Sequence, residues 1–237
     1  MMPTLLSQVD VEYPESDGQP MAENETHYLL LTTVKSNLEI LFKDDPNVFV
    51  AGNLLWYPVE GNNTIRVASD VFTVFGRPKR LMVDGEEVLR GSYRQWEEGG
   101  IASQVVFEFR SPGNRAGELE EKLDFYERYD VEEYYLYDPV RNVLRGWLRQ
   151  DGRLVEIDEI DGWRSPRLRI RFERTIKSLR ICYPDGQPFL TDVEREEQLL
   201  WERQAKEIAQ AQAKEAKALA ERLAAQLRAL GIDPPFG

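Results

Sequence analysis

A single cysteine, Cys182, in 237 residues excludes an intramolecular disulfide and suits a reducing cytoplasm. It sits in the strand-like run Leu-Arg-Ile-Cys-Tyr and reads as an ordinary packed residue. No apolar run reaches the length of a membrane span. No basic segment followed by an apolar one opens the chain, so neither a membrane anchor nor a leader is expected. Phosphate-binding glycine loops, dinucleotide-binding glycine patterns and zinc-ligand spacings are absent; Gly113-Asn-Arg-Ala-Gly117 is too short and wrongly placed for a phosphate loop. Positive charge is in deficit: 30 lysines and arginines face 42 acids, a net charge of −12. A broad polyanion-binding surface is therefore not expected. One local exception is Arg164 to Arg180. There Arg167, Arg169 and Arg171 alternate with Leu168, Ile170 and Phe172, as on the solvent face of a strand. A solvated face balancing nearby acids is the plainer reading of that stripe, and a phosphate-facing surface the sharper one.

What is present is a globular composition, with 42% hydrophobic and 11% aromatic residues. The first 24 residues read as an irregular lead. Asn24 caps a predicted helix that runs from Glu25 through the apolar-periodic stretch Leu29–Phe42, and Lys43-Asp-Asp-Pro-Asn47 ends it. Strands are predicted at 48–57, 65–75 and 103–110, with a long polar insertion at 76–102 that would flank a site or contact a partner. A helix over 116–129 and a strand at Tyr134–Tyr137 follow. Further strands are expected at 143–149, 153–160 and 167–172, the first two joined by a turn at Gln150-Asp-Gly152. Val193–Leu230 contains no glycine or proline and is rich in alanine; it reads as one long helix with a leucine stripe. The expected organisation is an α/β (α+β) mixed-sheet domain over 1–192 and a helical, coiled-coil-like extension over 193–237.

Two acids stand out. Asp70 lies in Val-Ala-Ser-Asp-Val-Phe-Thr-Val-Phe, 67–75, and Glu108 in Gln-Val-Val-Phe-Glu-Phe-Arg, 104–110. Acids are depleted from such β-branched and aromatic runs. Burying one is expensive unless cations or hydrogen bonds satisfy it. Two such carboxylates on adjacent strands form a hard-oxygen site suited to Mg²⁺ or Mn²⁺. Lys122 follows in the next segment. Two carboxylates and a lysine around a divalent ion are the working parts of a phosphodiester-cleaving nuclease.

Several segments carry a family resemblance: Ser16-Asp-Gly-Gln-Pro-Met-Ala-Glu-Asn-Glu-Thr-His27, Val50-Ala-Gly-Asn-Leu-Leu-Trp-Tyr-Pro-Val-Glu60, Val71-Phe-Thr-Val-Phe-Gly-Arg-Pro-Lys79, Arg90-Gly-Ser-Tyr-Arg-Gln-Trp-Glu-Glu98, Phe107-Glu-Phe-Arg-Ser-Pro-Gly-Asn-Arg115 and Tyr126-Glu-Arg-Tyr-Asp-Val-Glu-Glu-Tyr-Tyr-Leu-Tyr-Asp-Pro139. Over roughly residues 14 to 192 the chain resembles the Uma-type restriction endonuclease family of the PD-(D/E)xK nuclease superfamily.

The resemblance implies a restriction-endonuclease-like core and a Mg²⁺-dependent endonuclease acting on DNA, expected as a homodimer. By motif, Asp70 and Glu108 are the metal ligands, Phe109 lends its backbone carbonyl, and Lys122 polarises or deprotonates the attacking water. Glu23 and His27 match a family position near the site, with His27 a candidate for proton transfer or phosphate contact. The chain departs from the plain superfamily pattern at Arg110, which stands where a lysine is usual. An arginine is always protonated; it can hold phosphate but cannot act as a base. Tyr126, one turn after Lys122 on the same helix face, is expected to pack in the core, with lining of the cleft as the alternative. With its acidic charge, the chain also admits a second reading: a catalytically inactive descendant of the fold serving as a protein-interaction module.

Overall fold

The computed structural model describes residues 11–16, 18, 22 and 24–231. The chain divides into two compact units, Met1–Phe189 and Leu190–Gly237.

The first unit is built on a seven-stranded mixed sheet. Its elements are α1 (Glu25–Leu41), β1 (Val48–Tyr57), β2 (Val67–Phe75), β3 (Leu81–Val83), β4 (Glu86–Val88), β5 (Tyr93–Arg94), β6 (Val105–Phe109), α2 (Glu118–Arg128), β7 (Glu133–Asp138), β8 (Val143–Gln150), β9 (Arg153–Glu156), β10 (Arg171–Arg174) and β11 (Leu179–Cys182). The sheet order is β5-β1-β2-β6-β7-β8-β9. β2 pairs antiparallel with β1 on one side and β6 on the other; β6 and β7 are parallel, joined by α2; β7, β8 and β9 form an antiparallel meander. The crossover through α2 follows from the parallel pairing, which a tight turn cannot connect. The β8–β9 hairpin closes through Asp151 and Gly152, both at positive φ (49° and 83°), the geometry of a type I′ turn.

Each face of the sheet buries its own apolar layer. On one side Leu31, Val34 and Leu38 of α1 pack on Val50, Val71, Phe107 and Tyr135, and Leu168, Ile170 and Phe172 extend the layer. On the other, Tyr126 of α2 packs with Trp56, Phe72, Val106, Tyr134 and Trp147. The central strand β6 is buried along its whole length, as expected of a strand covered on both faces.

Two expectations need correction. Residues 167–172 are not one strand: Arg169 adopts φ 63° in a turn, and β10 begins only at Arg171. Leu168, Ile170 and Phe172 are buried, so the apolar alternation is real, but a turn produces it. The arginine stripe is also largely neutralised, Arg167 by Glu132 and both Arg171 and Arg180 by Glu173. The insertion 76–102 is not a bare loop. It forms an exposed β3–β4 hairpin and returns β5 to the edge of β1. Glu98, a buried acid within the insertion, is held by Arg90 and Arg77 at 2.6 and 2.7 Å.

The second unit is α3 (Asp192–Ala229), a 38-residue helix. Thr191 opens it with a complete capping box, its hydroxyl accepting from the Glu194 backbone N–H while the Glu194 carboxylate accepts from Thr191 N–H. No residue of α3 is buried.

Candidate active site

Asp70 and Glu108 stand opposite each other across the β2–β6 seam. The ladder pairs Phe72 with Val106 and Val71 with Phe107, and the next step in that register is Asp70 with Glu108. The paired ladder stops one step short of the acids. In its place the Phe109 backbone N–H donates to Asp70 Oδ2 at 2.6 Å. A backbone donor freed by the end of the ladder is thus satisfied by a carboxylate, as a buried N–H requires.

Asp70 also marks a change of phase. Phe72 and Val74 of β2 face the α2 side, and so does Val67, an odd number of residues away. β1 makes the same change: Ala51 and Trp56 both face the α2 side. The switch falls between Gly52 and Leu54, whose partners are Val71 and Ser69, at Asn53 with φ 47°. Asparagine tolerates this left-handed conformation better than most residues. Asp70 lies at this change of phase, and the acid pair is approached from both layers, Asp70 from α1 and Glu108 from α2.

α1 supplies one of those groups. Asn24 caps the helix, its side-chain oxygen accepting from the His27 N–H at 2.9 Å. The cap holds His27 in the first turn, where its Nε2 lies 2.9 Å from Asp70 Oδ1. α2 supplies two more. Lys122 and Tyr126 are four residues apart and project from the same helix face. Lys122 Nζ donates to Glu108 Oε2 at 2.7 Å and to the Ala68 carbonyl at 3.1 Å. Tyr126 OH donates to Glu108 Oε1 at 2.5 Å, and the Ser69 hydroxyl lies 2.9 Å from the same phenol oxygen. Every oxygen of the two carboxylates is engaged, yet each keeps a lone pair for a further partner.

Glu108 is 2% exposed. Burial is the main force on its carboxyl and raises its pKa to about 7; Lys122 opposes the shift and the nearby Asp70 adds to it. For Lys122, burial works against the charged form, but Glu108 and Asp70 outweigh it and the ammonium's pKa is raised. The lysine is therefore a held cation at neutral pH. That charge sits directly beside the Glu108 carboxylate. Tyr126 is pushed well above the usual phenol range by burial and by Glu108, and it stays a donor.

Asp70, Glu108, Lys122 and His27 come together as one constellation. Arg110 does not join them: its guanidinium lies 3.8 Å from Asp138 at the end of β7 and is about half exposed. Glu23 lies outside the described residues. From the sequence, Tyr126 reads as a core residue with lining of the cleft as the alternative, on its i, i+4 spacing from Lys122; Ser69 and the Ala68 carbonyl carry no such signal. Among the described residues, no set of three His, Cys, Asp or Glu side chains stands close enough to hold a metal ion. The donor set nonetheless fits a hard divalent cation: two register-opposed carboxylates, only one imidazole, and no thiolate.

A family model described as "Uma2: Putative restriction endonuclease" matches residues 4–177. The chain belongs to this family. No curated protein matches it significantly. Among solved structures, a chain described as a putative nuclease belonging to DUF820, from Anabaena variabilis, is similar at 14% identity and a TM-score of 0.46, over 64% of this Uma2 chain and 79% of that one. Among the described residues, no helix of the Uma2 protein is long and apolar enough to cross a membrane.

Proposed function

We propose that this Uma2 protein is a metal-dependent endonuclease that hydrolyses DNA phosphodiester bonds as a homodimer. The observation that carries the reading is the burial of Asp70 and Glu108 one register step beyond the β2–β6 ladder, with Lys122 bonded to the second acid. Asp70 and Glu108 would hold Mg²⁺ or Mn²⁺, with the Phe109 carbonyl as a third ligand. When bound, the ion supplies Lewis acidity toward the phosphodiester and its attacking water.

The protein's own groups account for the rest. Lys122, fixed by Glu108 and the Ala68 carbonyl, presents positive charge where a phosphate would gain negative charge in the transition state. Tyr126 and Ser69 fix the Glu108 carboxylate in one orientation. His27, held by its cap, orients Asp70 through its Nε2. Arg110, half exposed beside Asp138, would bind an arriving phosphate as a bidentate donor.

The test is nicking of supercoiled plasmid by the full-length protein with Mg²⁺ or Mn²⁺. Asp70→Asn and Glu108→Gln should each reduce activity to background, and Lys122→Met should lower it by about 10²-fold or more. Activity surviving in both acid variants would identify a contaminant. No activity with either metal would favour the inactive interaction module, the reading to which the net charge of −12 lends weight.

A further inference from the structure

We infer that α3 is an antiparallel pairing helix whose partner is α3 of a second copy of this chain. Its apolar residues do not follow the seven-residue repeat of an ordinary coiled coil. Trp201, Ala205 and Ile208 open the stripe at steps of four and three. Leu223, Leu227 and Leu230 repeat that spacing two eleven-residue periods later, and the intervening period carries Leu219 in register. An eleven-residue period is 3.67 residues per turn, so the stripe runs almost straight along an α-helix and drifts slightly right-handed. Two such helices bury a long seam with little supercoiling. These side chains are exposed now: Trp201 is 69% and Ile208 59% exposed, and Leu219 and Leu223 are about half exposed. A helix with so narrow a stripe gains most of its stability from packing that stripe.

Charge decides the partner and its direction. From Asp192 to Gln210 there are six acids and three bases; from Ala211 to Leu230 there are two acids and four bases. A parallel pair sets acidic half beside acidic half and basic beside basic. An antiparallel pair sets each acidic half against a basic one. The complement to each half of α3 is therefore the other half of an identical helix. Opposite charges flanking a helix seam favour orientation and partner in this way.

The inference does not depend on catalysis, and its test reads assembly alone. Full-length protein is examined by light scattering, then spin-labelled in a Cys182→Ala background at Glu196→Cys or at Ala211→Cys for pulsed dipolar distance measurement. A dimer is expected, with a short label separation at position 211 and one of roughly 45 Å or more at position 196, from the ~1.5 Å rise per residue. Short separations at both positions would show a parallel pair and overturn the inference. So would a full-length monomer near 27.5 kDa. A Leu219→Glu/Leu223→Glu variant should be monomeric, since both side chains are exposed in a single copy and the core does not rely on them. A dimer that survives this change would place the interface on the first unit and refute the proposal.

Discussion

Glu108 is the residue on which most of the site converges, and the groups around it divide by what they supply. Lys122 supplies charge; Tyr126 supplies only a hydrogen bond. Tyr126→Phe leaves one oxygen of a buried carboxylate without its donor, which destabilises by about 1–3 kcal/mol. Its plasmid nicking should fall less than that of Lys122→Met. A Phe variant as inactive as the Met variant would give the phenol a role beyond orientation. A second buried acid, Glu98, is purely structural. Burial pushes its carboxyl upward, but the Arg90 and Arg77 guanidiniums outweigh this and hold its pKa below the usual value. A folded-state pKa below the unfolded one means that this stabilisation is present above about pH 4.3 and is lost as pH falls through the folded value. Glu98→Gln would leave Arg90 buried without its partner and should destabilise by about 3–5 kcal/mol at pH 7. Urea midpoints measured from pH 7 to pH 3 should fall less steeply for that variant than for the native protein. Parallel curves would show that Glu98 does not carry the acid sensitivity.

Among the elements, β1 and α1 match their sequence reading closely, because each is bounded by a chemical signal: Asn24 at the helix start, the Lys43–Asn47 turn between them and Pro58 after the strand. The acids Asp70 and Glu108 were legible for a related reason, since a carboxylate in a β-branched run stands out against its neighbours. What could not be read was tertiary. The turn at 165–169 does carry a local signal in Ser165-Pro166, but the apolar alternation masks it, because a turn and a strand both put Leu168 and Ile170 into the core. The phase change at Asn53 requires a left-handed residue but leaves no periodic trace. The role of Tyr126 depends on which strand its helix covers. Close backbone approach is also visible only in three dimensions. A methyl group on Gly146 of β8 would meet Ile160 at 2.7 Å and both Ile157 and Tyr135 at 3.1 Å. On Gly52 of β1 it would meet chiefly the Lys35 side chain, at 2.9 Å, near its flexible end. Gly146→Ala should therefore destabilise by about 1–3 kcal/mol, and Gly52→Ala by less. Denaturant titration of the two variants checks the order, and the reverse order would mean that the isoleucines yield more readily than the lysine.

At the scale of the whole molecule, the charge of −12 acts against the polyanion that the site is proposed to cut. Most of it, −10, belongs to the first unit, since Leu190–Gly237 carries nine acids and seven bases. Nucleases that associate through a basic surface slow steeply as salt rises. Here the long-range field is repulsive, and raising monovalent salt from about 20 to about 150 mM shortens its reach to about 8 Å. Nicking rates at fixed Mg²⁺ should therefore hold or increase over that range. A steep decline would reveal a basic contact surface strong enough to override the net charge. The placement of Asp70 beside Glu108 also bears on the whole fold. Two acids kept together in a dry seam repel each other in every molecule, whether or not a substrate ever arrives. On the proposed function, this pair is expected to cost thermal tolerance, the trade-off seen where an active site is held in a destabilised state. Asp70→Asn keeps an acceptor for the Phe109 N–H and removes the repulsion, so the variant that loses activity should melt later. Each ~1 kcal/mol of relief corresponds to roughly 2–4 °C in a chain of this size. A metal-free melting scan in which the variant unfolds earlier than the native protein would show the acid pair to be a support of the fold.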